Sequence, residues 1–86
     1  MKIDIKDTLN LSDNNEYVVA SKVVYNNDIY YYLVDINQHS NIKFCKEKRK
    51  DNDIQVVELE DKKLIQVLLP LFFEASKYLL EELAQN

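Results

Sequence analysis

The chain changes its hydrophobic period once, near residue 59, and that change limits what it can build. Up to Leu59, apolar and aromatic residues come in short runs separated by clusters of Asn, Asp and Ser. This is the pattern of strands joined by tight turns. From Glu60 onward, Leu64, Leu68, Phe72, Ala75, Leu79 and Leu83 recur at steps of three and four, as one face of a helix does. Strands followed by helix in 86 residues predict a single α+β domain, with a sheet over 3–59 and a helical segment over 60–84.

Five antiparallel strands are expected. The first covers Thr8 to Leu11 and extends back as far as Ile3. Glu16 to Tyr25, rich in β-branched and aromatic residues, is the second. Ile29 to Ile36 is the third. Alternation places Tyr30, Tyr32, Val34 and Ile36 on one face and Ile29, Tyr31, Leu33 and Asp35 on the other. Both faces are largely apolar, which makes this strand central. Ile42 to Glu47 and Ile54 to Leu59 complete the set, with Lys48 to Asp53 as a charged turn between them. Pattern alone leaves a meander and a small curled barrel both open.

The helical segment contains the chain's one proline, Pro70. A straight helix over 61–84 would be about 36 Å long, against roughly 30 Å across a domain of this size. Proline donates no hydrogen bond and clashes with the carbonyl four residues back. Two pieces, about 61–68 and 71–84, with a kink or break near Pro70 are therefore expected. A second apolar stripe, Ile65, Leu69, Phe73 and Leu80, runs beside the first, so the segment is apolar over more than one sheet face requires. Either a partner or second copy covers that stripe, or the break lets the two pieces bury different faces.

The 86 residues include no glycine. That excludes glycine-rich phosphate loops, dinucleotide fingerprints and glycine-flanked nucleophile elbows in their standard forms. Asn and Asp stand where turn glycines would be, at 13–15, 26–28 and 51–53, and they tolerate left-handed backbone better than other non-glycine residues. Asn27 or a neighbour in its turn should show positive φ.

Little else in the chain points to catalysis. His39 and Cys45, the only histidine and cysteine, offer a nucleophile–base pair, although a cysteine within a strand more often serves as a small hydrophobe. A structural zinc site needs four ligands, so no metal or cofactor is expected. Glu58, Glu60 and Asp61 read as solvated surface carboxylates. Lys43, Lys46, Lys48, Arg49 and Lys50 leave 43–50 at net +4 and the rest of the chain at −8. This cluster either contacts phosphates or an acidic protein, or is a solvated hairpin tip that blunts an edge strand. The overall balance of −4 disfavours broad nucleic-acid or anionic-membrane binding. The longest apolar run, Val67 to Phe73, is too short to cross a bilayer. With a lone cysteine and no apolar leader in the first residues, a cytoplasmic protein is expected.

Asp7 to Leu11, Glu16 to Val19, Tyr25, Ile29 to Val34, Ile42 to Cys45 and Leu68 to Phe72 together resemble a group of short, acidic, uncharacterised bacterial proteins of low-GC Gram-positive bacteria and their mobile elements, grouped as a domain of unknown function. Where that group carries glycine, this chain has Lys6, Asn14 or Asn15, and Asn27. The resemblance implies no catalytic or binding residue. The expectation is a small cytoplasmic non-enzymatic interaction or regulatory module. It would self-associate, as a homodimer for example, through Ile65, Leu69, Phe73 and Leu80. The alternative is a nucleic-acid-associated module using 43–50.

Overall fold

Left-handed asparagine and aspartate shape the hairpins of the sheet. The computed structural model describes residues 2–84. Asn26 and Asn27 have φ of 49° and 68°. Two successive left-handed residues make a turn whose twist matches the strands it joins. This turn connects β2 (Glu16–Tyr25) to β3 (Asp28–Asp35). Asp51, with φ of 57°, begins the turn between β4 (Ile42–Lys50) and β5 (Asp53–Glu58). Asn14 and Lys6 are left-handed as well and flank the short β1 (Thr8–Asn10).

Strand order follows chain order, β1-β2-β3-β4-β5, and every pairing is antiparallel. The sheet is a meander, with β3 at its centre as its two apolar faces demanded. β1 begins at Thr8 rather than near Ile3. β4 runs on to Lys50, through residues expected in a turn. The residues Lys48 to Lys50 are exposed, so the hairpin extends into water and carries its charges at no desolvation penalty.

β2 contains the sheet's irregularity. Val19 pairs with Leu33, yet Ser21 pairs with Tyr32, so Ala20 is an extra residue. Such a bulge bends its strand and increases the local twist. It also carries side chains from one face to the other. Tyr17 and Val19 pack with Tyr31, Leu33 and Cys45, while Ala20 packs with Tyr30, Tyr32 and Val34. Ser21 donates from Oγ to the carbonyl of Phe72 at 2.8 Å.

Two helices cover the second of these faces. Asp61 caps α1 (Lys62–Ala75), its carboxylate accepting from the amides of Lys63 and Leu64, which satisfies donors a helix start leaves open. Leu68 and Phe72 are fully buried against β2 and β3. Tyr32 meets Phe44 and Phe72 edge-on at 5.1 and 5.7 Å. α1 is continuous through Pro70. Proline inside a helix costs about 3 kcal/mol through the lost hydrogen bond and the ring clash. Burying Leu68 and Phe72 on either side of it contributes about 1.5–3 kcal/mol each, and together these offset the loss.

The helical segment divides at Ser76, not at Pro70. Ser76 has φ of −142°. Its N–H donates to the carbonyl of Phe72 and its carbonyl accepts from the N–H of Leu80, both at 3.1 Å. One residue thus ends α1 and begins α2 (Lys77–Ala84). The break shifts the helical phase. Leu80, expected on the outer stripe, is 4% exposed and lies in the core, where Leu83 packs beside it.

Candidate functional site

The other face of the sheet carries a core without a helix. Ile3, Tyr17, Val19, Tyr31, Leu33 and Cys45 are buried there, with Leu9, Leu11, Ile29, Ile54 and Val56 packed around them. The curl of the sheet brings β1 and the 11–13 turn opposite β4 and β5. Between them lies a groove of about 440 Å³, with Ile3, Leu9, Leu11, Ile54 and Val56 among its walls and Cys45 in its floor. β1 and β5 are the two ends of the sheet, each hydrogen-bonded on one side only.

Polar groups close both ends of this face. At one end the Tyr17 hydroxyl donates to Asp13 Oδ2 at 2.7 Å and accepts from Asn41 Nδ2 at 2.9 Å. Asn41 Nδ2 also donates to Asp35 Oδ2 at 3.1 Å, and the amide of Asn37 donates to Asp35 Oδ1 at 2.8 Å. The network ties the 11–15 turn to the 36–41 loop. The Tyr17 bond is the main cause holding the Asp13 carboxyl below its ordinary range. The Asn37 amide, then Asn41, does the same for Asp35. Burial and the bond to Asp13 push the Tyr17 hydroxyl up.

At the other end the Tyr31 hydroxyl donates to Glu47 Oε1. Glu47 also pairs with Arg49 at 3.1 Å, although its own side chain is only 5% exposed. Burial, then Glu47, pushes the Tyr31 hydroxyl well above its ordinary value. Lys22 sits 5.9 Å above the Tyr31 ring and donates to the carbonyl of Ile3 at 2.8 Å, anchoring the N-terminal segment across the sheet. Between the two ends, Lys43 pairs with Glu58 at 3.4 Å, and Glu58 is the first cause of the raised Lys43 pKa.

The residues weighed from sequence are divided by this architecture. Cys45 and His39 are not brought together. Cys45 lies in the groove floor, while His39 lines a small cleft on the helix-covered face with Tyr32, Val34, Ile42, Leu80 and Leu83. Burial, then Glu58, pushes the Cys45 thiol up to about 11. Among the described residues no group of three His, Cys, Asp or Glu side chains gathers as a metal site. No described helix is long and apolar enough to cross a membrane.

The basic cluster splits by strand alternation. Lys43 and Arg49 share the face of Cys45 and Glu47, whereas Lys46, Lys48 and Lys50 share the face of Phe44. Lys43 pairs with Glu58, Arg49 with Glu47, and Lys46 with Asp28 at 3.4 Å. Lys48 and Lys50 are exposed. The second helical stripe divides too. Leu80 is in the core, Ile65 and Leu69 are half-buried, and Phe73 is 44% exposed with its ring 6.0 Å from Tyr32.

The groove was missed in sequence. Its signal was present in β3, whose Tyr31 and Leu33 make a second apolar face for which one helical layer provides no cover. No protein-family model matches the chain, and neither a curated protein nor a solved structure matches it.

Proposed function

We propose that the chain is a small non-enzymatic protein-interaction or regulatory module whose docking surface is the groove of the sheet. One observation carries this reading: a groove of about 440 Å³, lined by apolar and polar residues alike, lies between two strands that each have an unpaired edge. Its volume falls in the range of about 300–1,000 Å³ typical of ligand sites, and open edges recruit further chains. The buried Cys45 thiol, with its raised pKa, favours a packing role over nucleophilic chemistry. Division of the basic cluster between two faces favours a protein over nucleic acid as the partner.

Capture from the native host with wild-type protein and with Val56→Lys tests the reading. Partners held by the wild type should be lost with Val56→Lys and retained with Phe73→Ser. Retention by a folded Val56→Lys variant would move the docking surface elsewhere.

A second reading is self-association through the helices. It is supported by Val67, Phe73 and Tyr78, which are 45%, 44% and 86% exposed on α1 and α2. Light scattering on a sizing column decides it, since a strict monomer at high micromolar concentration removes it.

A further inference from the structure

Hydrogen-bond phase shows what the β5 edge offers. The amide of Leu59 donates to the carbonyl of Phe44 at 2.7 Å. With the observed register, the hydrogen-bonded pairs across β4 and β5 are Phe44–Leu59, Lys46–Val57, Lys48–Gln55 and Lys50–Asp53. Ile54, Val56 and Glu58 therefore direct their N–H and C=O groups away from β4, along the open edge. Their side chains are the ones on the groove face. Backbone hydrogen-bonding capacity thus occurs in the same strand as the groove's apolar side chains, Ile54 and Val56, with the Glu58 carboxylate beside them. The opposite wall is Leu9 and Leu11 of the β1 side.

Charge specifies the occupant. Residues 51–61 contain Asp51, Asp53, Glu58, Glu60 and Asp61 and no basic residue. Asp13 adds a carboxylate to the groove lining. Lys43 neutralises Glu58, Asp61 caps α1 and Asp53 stands opposite Lys50, while Asp51 and Glu60 lie exposed at the two ends of the edge. A second copy of this strand would set like charges against one another, which disfavours self-pairing.

We propose that the gap between β1 and β5 receives an extended segment of a partner protein in which apolar and cationic residues alternate. The segment adds to the β5 edge as a sixth strand. Its main chain bonds Ile54, Val56 and Glu58, its apolar side chains enter the groove, and its cations meet the acids of 51–61. This rests on the interaction-module reading and names the mode and the partner chemistry.

The probe is a capped peptide of about eight residues, matched to a strand length, that alternates valine and lysine. Comparators are the valine–glutamate peptide and the valine–lysine peptide N-methylated at alternate residues. Saturating valine–lysine peptide should slow amide exchange at Ile54, Val56 and Glu58 by about tenfold or more. Binding should weaken as salt rises. The N-methylated peptide should not protect these amides. Asp53→Asn with Glu60→Gln, two exposed positions, should weaken binding by about threefold while leaving the apolar walls intact.

Absence of protection by the valine–lysine peptide overturns the proposal, and so does equal protection by the valine–glutamate peptide. Protection that grows with protein concentration without peptide assigns the edge to a second copy and also overturns it. If the peptide fails while native partners are still lost with Val56→Lys, strand addition by a basic segment is wrong and the interaction module stands. If both fail, both readings fall.

Discussion

Tyr32 and Tyr31 are neighbours in β3 and are both buried, but by different means. Tyr32 lies under α1, ringed by Phe44, Phe72 and Phe73. Tyr31 lies on the opposite face, where no helix reaches. There the curl of the sheet, the Lys22 anchor and the N-terminal segment around Ile3 provide the cover. A face packed by a helix closes more fully, because side chains from the second layer fill most of the space over the strands. A face closed by curvature stays open where the first and last strands fail to meet. The groove is that remaining gap.

The largest expected difference is in packing energy. Phe72→Ala should destabilise by about 3–5 kcal/mol, as buried aromatic truncations do, whereas Val56→Ala in the half-buried groove wall should cost about 1 kcal/mol. Urea midpoints measure both. Equal costs would erase the distinction and make the groove wall as structural as the helix-covered core.

The tyrosine pair gives a finer test. Tyr31→Phe removes the hydroxyl donor of a nearly buried carboxylate, Glu47, and should cost about 1–3 kcal/mol. Tyr32 makes ring contacts and its hydroxyl has no bonded partner among the described residues, so Tyr32→Phe should stay within about 0.5 kcal/mol. The reverse order in a denaturation series would show that the polar bonds of the open face contribute nothing to its closure.

The smallest effect is on pH dependence. Hydrogen bonds hold the Asp35 and Asp13 carboxyls below their unfolded values. Such groups contribute stability that is complete above the unfolded pKa, near 4, and is lost as pH falls through the folded value. Stability should therefore decline on acidification below about pH 4. Asp35→Asn should flatten that decline, and an unchanged acid limb would separate the loop network from the stability of the open face.

Much of the fold was legible because its signals are local. Alternation in Ile29 to Ile36 identified a central strand before any partner was known, and the asparagines of 26–28 marked a turn that φ values of 49° and 68° now define. Pro70 misled because a local penalty was weighed without the burial of Leu68 and Phe72 around it. Ser76, one of several polar residues in the helical pattern, divided the segment instead. The stripe containing Leu80 was then read in the wrong phase. The bulge at Ala20 left no mark in composition, since it shows only as a register shift between Val19 and Ser21 against β3.

The sequence by itself determined the α+β class, the centrality of β3, the hairpin turns and the apolar residues that had to be buried. Those follow from periodicity and backbone preference, which act over a few residues. Tertiary structure alone decided which apolar face received the helices, where the helical segment divided, and how far the sheet curled before its edges stopped short of meeting. Each depends on residues distant in the chain competing for the same buried volume. The groove and the free edge of β5 are products of that competition.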